Sequence, residues 1–545
     1  MSLLFNSKKK LCQLSLNPKQ IGLIVGPLCF ALVVVLFPST DEGLSKEGVS
    51  VLAISIWMII WWITEAIPVY ATALLPLGLM PVLGILPLQD VAAEYMNPII
   101  VLLLGMFLIA IAIEKSEFHK RIAYGMLSIF GYSPKRIVLG FMISTALMST
   151  VIMSTTVVLI MLPIAFVVLR DLSIHHIAIG RRFRTTLLLG IAYSSSIGSV
   201  STLIGAPPNL LYAGTVSEIF DHNTTFVEWS SLGAPLSIIM LLITCFYILK
   251  LLDKDKITTL VGDTNNTSGY SDTTNNKSKN AGNGKKKIHD HQKESASIPE
   301  DSYAYDISQL SSAENEFKKL VQKEKQKLGK VTTQQKTVVS ILVIVLLLMF
   351  TSQLWIPIDS FITNSVIAIV GGISLFAIPM RKHQTSLLEW AEVEKLPFGV
   401  LFLLGGGLAL SLAFVYSGLA SWLAESLSVI SILPFEIVVV LVIGLIMFMS
   451  NLKSNTSTAA IFIPIVANMA LINQWAPLPI LFGITVASSF AFLLPMGTPP
   501  NALVYEKGKV SMKDMFMNGI ILNFIAIALI TVFTIFVFPM MLTLN

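Results

Sequence analysis

Charge is what this sequence lacks most. Only 13% of its 545 residues are Asp, Glu, Lys or Arg, about half of the ~25% usual in soluble domains. That shortage argues against a soluble multi-domain enzyme. Cysteine is nearly absent. Cys12, Cys29 and Cys245 are widely spaced, so no thiolate metal pattern is encoded and the thiols read as inert. No Ser-His-Asp set and no metal-ligand cluster stands out. The glycines at 405–407 are not followed by Lys-Ser/Thr, so they read as close packing rather than a phosphate loop. An enzyme is not expected. The net charge of +5 does not imply nucleic acid, because Lys and Arg in loops orient a membrane protein.

What is present is apolar: 54% of the residues are hydrophobic. Apolar segments occur at 20–37, 50–67, 70–87, 97–113, 137–169, 185–213 and 231–251. They resume at 335–352, 363–380, 397–415, 437–467, 479–505 and 515–541. A spanning helix needs roughly 20 mainly apolar residues. In lipid only helices and closed barrels satisfy their backbone polar groups. These runs exceed barrel strands and lack their alternation. The sequence therefore predicts an all-α polytopic membrane protein, multi-pass in a cell membrane. Lys8, Lys9 and Lys10 precede an apolar run from Ile21 without an evident cleavage site, which reads as a first membrane helix rather than a signal peptide. The gap at 252–333 is hydrophilic. Its stretch 263–297 suits a disordered linker, and 313–330 suits a surface helix. The basic content of the linker, and Lys8–Lys10, predict a cytoplasmic linker and N-terminus.

Two segments break the pattern. Residues 137–169 carry no charge over a helical length of about 50 Å. That is too long for one crossing of roughly 30 Å and too short for two with a turn. Lys135 and Arg136 precede the segment, and Arg170, Arg181, Arg182 and Arg184 follow it. A re-entrant hairpin entering from the cytoplasm fits, with its tip at Ser154-Thr155-Thr156. Residues 437–467 repeat the design with Lys453 as their one charge, between flanks free of Lys and Arg. That hairpin should enter from outside, with its tip at Ser454-Asn455-Thr456.

The halves match in order. VLLLGMFLIAIA (101–112) pairs with VLFLLGGGLALSLA (400–413), the two tips lie 300 positions apart, Pro163 and Pro464 follow them, and IGAPPN (204–209) pairs with MGTPPN (496–501). A Pro-Pro pair interrupts a helix. Unwound backbone at membrane depth is tolerated where it is buried in protein or lines a cavity, where it frees carbonyls for a cation and leaves a helix N-terminus for an anion. Opposed flanking charges make this an inverted repeat, a secondary-transporter architecture.

These features, with WWITEAIP (61–68) and KQIGLIVGPLCF (19–30), resemble the divalent-anion:sodium symporter family, which contains dicarboxylate and citrate transporters. The resemblance implies a homodimeric elevator-type transporter in the bilayer, carrying small di- or tricarboxylates with sodium as the coupling ion and no other cofactor. It implies scaffold helices in 1–96 and 334–396. It implies repeat cores in 97–251 (hairpin 137–169, broken helix 185–213) and 397–545 (hairpin 437–467, broken helix 479–505, final helix 515–541). It assigns substrate contacts to Ser154, Thr155, Thr156, Ala206 and Pro207, and to Ser454, Asn455, Thr456, Thr498 and Pro499. One sodium is expected at Thr150, Ser154, Thr155 and Gly205, the other at Ser450, Asn455, Gly497 and the main chain of Lys453. Hydroxyls, an amide and helix N-termini suit a dianion, and oxygen ligands suit sodium.

Two departures stand out. The first tip has Thr155 where the second has Asn455, and Lys453 places an ammonium at membrane depth, where charge marks function. Sodium symport, sodium-independent exchange and proton coupling are the readings left open, with sulfate as the less favoured substrate. A channel would require a continuous pore, of which no filter repeat is visible. Glu65 reads as an intramembrane carboxylate in a structural role, Trp61 and Trp62 as interfacial, and His119, beside Lys120 and Arg121, as a solvated cytoplasmic loop residue.

Overall fold

The computed structural model describes residues 18–37, 44–130, 133–174, 181–261, 318–319, 321–356, 361–379, 386–426 and 433–542. The expectations for Lys8–Lys10, Cys12 and the stretch 263–297 lie outside them, as does most of the linker. The described residues form helices, with one isolated bridge between Pro379 and Ser386. Among the described residues eight helices are long and apolar enough to cross a membrane, and five shorter apolar ones accompany them. The chain is an all-helical, multi-pass membrane protein.

Helices α1 (Pro18–Leu36) and α2 (Lys46–Thr64) pair along their length. The apolar segment at 70–87 is not one span. It forms short helices at Val69–Thr72 and Leu75–Val82, with Pro76 in the first turn of the second, and Gly84 turns the chain at φ 69°. Next come α3 (Pro98–Lys115), α4 (Phe118–Phe130) and the pair α5 (Pro134–Ser149) and α6 (Ser154–Ile174). The broken span is α7 (Arg181–Ser199) and α8 (Pro207–Phe220), and α9 (Phe226–Val261) runs ten residues beyond the expected end at 251.

The second half has α10 (Thr333–Phe350), α11 (Asn364–Ala377) and α12 (Phe398–Tyr416). It continues with the pair α13 (Phe435–Leu452) and α14 (Asn455–Ile472), the broken span α15 (Pro477–Ser489) and α16 (Pro499–Gly508), and α17 (Met512–Val532). Helices α5 and α7 pack together, as do α13 and α15. The halves interlock: α8 packs on α14, and α16 on α6. The triple glycine serves close packing. Gly405 abuts Tyr95, Gly406 abuts the Ala73 backbone, and Gly407 faces Leu211 and Ala460.

Glu65 ends α2 in the left-handed region (φ 49°), its carboxylate 3.9 Å from Lys19 Nζ. Two expectations change. Trp62 is a core residue whose Nε1–H donates to Val69 O at 3.0 Å. His119 is buried in α4 rather than solvated, and burial holds its imidazole below the usual range. Its neighbour Arg121 is a hub. Its Nε donates to Gln335 Oε1 (2.7 Å), Nη1 to Gly329 O (2.9 Å), and Nη2 to Leu328 O and Lys330 O. Four bonds from one guanidinium tie the chain entering α10 to α4.

Candidate functional site

Each hairpin places a tip against the break of its own half. In the second half Asn455 N–H donates to Gly497 O at 3.2 Å, Ser450 Oγ–H donates to Ser488 O, and Leu493 N–H donates to Asn451 Oδ1 at 2.8 Å. A Cβ on Gly497 would lie 3.2 Å from Ser450 O. Ser450, Asn455 and Gly497 therefore share one neighbourhood. Lys453, half-buried, caps α13 in extended backbone beside them.

In the first half Ser195 Oγ–H donates to Ser154 O at 2.9 Å, Thr202 Oγ1–H donates to Thr150 O, and Ser149 Oγ–H donates to Ser195 O at 2.7 Å. Gly205 is pressed against Ser199 O. Thr150, Ser154 and the break are thus joined through Ser195 and Thr202, two residues that the sequence reasoning did not select.

The two hairpins register differently from the sequence match. Helix α6 begins at Ser154 and α14 at Asn455, the prolines are Pro163 and Pro464, and the buried serines bonded to the break helices are Ser149 and Ser450. All three pairs lie 301 positions apart, not 300. Ser154 therefore stands opposite Asn455, Thr155 opposite Thr456, and Met153 opposite Ser454. Ser149, rather than Thr150, is the partner of Ser450. The prolines carried that signal.

Burial is graded. Ser154, Thr155, Thr156, Ser454 and Thr456 are half-buried, whereas Asn455, Ala206, Pro207 and Thr498 are buried. Pro499 is exposed. Four helices start at the tips and breaks, α6, α8, α14 and α16. Neither Ala206 before α8 nor Ser454 before α14 caps its helix with a side-chain bond. Uncapped N–H groups at helix starts favour an anion. Among the described residues no cluster of three or more His, Cys, Asp or Glu occurs, so a cation here would rest on neutral oxygens. Hydroxyl, amide and carbonyl oxygens at both tips and breaks fit a hard monovalent ion.

Residues 19–544 match the family model described as the sodium:sulfate symporter transmembrane region. The chain belongs to this family, the divalent-anion:sodium symporters. The family member of Staphylococcus saprophyticus called sodium-dependent dicarboxylate transporter SdcS is 33% identical over 558 residues, covering 100% of this chain and 96% of its own. The protein of that name from Staphylococcus aureus strain bovine RF122 is 33% identical over 537 residues, covering 96% of this chain and 92% of its own. Membership of the symporter family makes this chain a transporter, not an enzyme.

Proposed function

We propose that the chain carries dicarboxylates of the succinate, fumarate and malate class across the cell membrane by sodium-coupled symport. The observation that carries this reading is the duplicated unit of a polar tip hydrogen-bonded to an unwound break. It offers uncapped helix N-termini to carboxylates and neutral oxygens to cations. The naming of full-length relatives as sodium-dependent dicarboxylate transporters supports it.

In this reading Ser154, Thr155 and Thr156 hold one end of the substrate, and Ser454, Asn455 and Thr456 the other. Ala206, Pro207, Thr498 and Pro499 line the breaks between them. One sodium uses Thr150, Ser154, Thr155 and Gly205, the other Ser450, Asn455, Gly497 and the main chain of Lys453. Both hairpins are re-entrant, and 97–251 and 397–545 form cores that move as an elevator against 1–96 and 334–396. The protein is a homodimer with its N-terminus and linker in the cytoplasm.

Purified protein in liposomes tests the proposal. Succinate uptake should require an inward sodium gradient and fall with competing fumarate or malate more than with citrate, 2-oxoglutarate or sulfate. Uptake unchanged by replacing sodium with choline would sink symport. The Asn455→Ala variant should be folded and inactive, and normal uptake by it would refute the site.

Lys453 supports a second reading. Lys453 stands two residues before Asn455, and its ammonium in place of one coupling cation gives sodium-independent dicarboxylate exchange. Counterflow of labelled succinate in sodium-free liposomes separates the two.

A further inference from the structure

Asn209 and Asn501 each close a loop of the same size. Asn209 Nδ2 donates to Ser199 O at 3.0 Å and Thr202 O at 2.8 Å. Asn501 Nδ2 donates to Ala491 O at 2.8 Å and Leu494 O at 3.2 Å. In both halves the acceptors lie ten and seven residues before the asparagine. Both side chains are fully buried, at 0% exposure. Two carbonyl acceptors fix which end of each carboxamide is nitrogen, because a flip would set oxygen against oxygen. The Oδ1 atoms are thereby turned away from the pinned carbonyls, and each is buried without a donor. Buried polar atoms are normally paired. An orphan acceptor at matching positions of both halves is the polarity that a cation, or water on it, would satisfy.

We infer that Asn209 and Asn501 are positioning residues for the two coupling cations, each setting the carbonyls of its own break; this rests on the sodium-coupled reading above. Gly205 lies between Thr202 and Asn209, and Gly497 between Leu494 and Asn501. These are the residues pressed against Ser199 O and bonded to the Asn455 amide. An unwound segment offers free carbonyls but leaves them free to rotate. A bond from inside the loop to two of its carbonyls restricts the direction of those between. The outer edge of each break is held separately, by Trp229 Nε1–H on Val200 O (2.9 Å) and by Asn523 Oδ1 accepting from Phe492 N–H (3.1 Å). The clamps are therefore not the sole anchors of the loops, and removing one should disorder the carbonyls before it unfolds the span.

The test reads sodium binding rather than transport. Melting temperature of the detergent-purified protein is followed against sodium chloride, with choline chloride holding ionic strength, because a ligand bound by the folded state raises it. Asn209→Ser and Asn501→Ser each retain one donor, and Asn209→Ala and Asn501→Ala retain none. Groups that orient metal ligands typically change metal affinity by about 10–100-fold when lost. Each variant should shift its sodium midpoint upward by about tenfold or more, while succinate stabilisation returns at saturating sodium. Folded variants with the unsubstituted midpoint would overturn the assignment. So would Ser variants that fail to fold, since the clamps would then be ties of the fold. No sodium effect on the unsubstituted protein would overturn the coupling reading as well, and that control tells the two failures apart.

Discussion

Lys453 brings a full charge to a neighbourhood otherwise made of neutral oxygens, and its counterpart in the first hairpin is the buried Ile152. A lysine near Asn455 in the chain puts positive charge within reach of a dicarboxylate and works against a second cation. Lys453→Met should therefore raise the succinate KM several-fold and lower the sodium concentration for half-maximal uptake, both read in sodium titrations of liposome uptake. An unchanged KM would restrict the residue to its main chain. Glu94 acts on stability instead. It is buried and its carboxyl is pushed up to about 7, first by burial and then by the Glu218 carboxylate, against a hydrogen bond from Asn97. Between the ordinary 4.5 and about 7 the folded chain keeps a proton that the unfolded chain has released. The stability this group supplies is therefore present at acid pH and lost as pH rises through that window. Glu94→Gln stays neutral throughout. Its melting temperature should lack the alkaline fall of the unsubstituted protein, and parallel profiles would rule the group out.

At the scale of elements, the breaks are wedged by the helices that follow them. Gly233 on α9 leaves no room for a Cβ beside Val200 O, and Gly519 on α17 leaves none beside Phe492 O. A methyl group there must displace backbone. Gly519→Ala should lose about 1–3 kcal/mol, seen as a lower melting temperature, whereas Gly444→Ala, with nothing within 4 Å, should not. Helix boundaries were legible where an apolar run ended at a capping residue or proline. The starts of α3 and α12, at Pro98 and Phe398, fell within a residue of expectation. The register of the hairpins was less legible, because runs of Ser and Thr match as letters at two offsets. Only the helix starts, the prolines and the Ser149 and Ser450 bonds separate them. Helix α4 was missed because His119, Lys120 and Arg121 disguise an amphipathic helix as a loop, with His119 turned inward.

For the whole molecule, polytopic helical architecture was legible from apolar length alone, since lipid leaves the backbone few choices. The interlock of halves was not. Nothing local encodes that α8 meets α14 or that α16 meets α6. The Asn209 and Asn501 clamps were missed although both stand in the quoted PPN motifs, because a carboxamide's partners depend on how the loop folds back. The proposed motion makes a prediction at this scale. Cysteine pairs cross-linked between α3 and α11, which join 97–251 to 334–396, should stop transport, and pairs between α8 and α12, both within the moving cores, should leave it intact. Equal inhibition by both would contradict it.

Those two faces are made differently. Gly105 on α3 admits the Ala368 backbone of α11, and Gly372 approaches Gly105 O in return, so that seam is keyed main chain to main chain. Between α8 and α12 the meeting surfaces are the Leu408 methyls over Gly214 and Leu211 against Gly407. In the elevator reading the first seam parts when 97–251 moves past 334–396, and the second travels whole inside the cores, so the work of the stroke falls where backbone meets backbone.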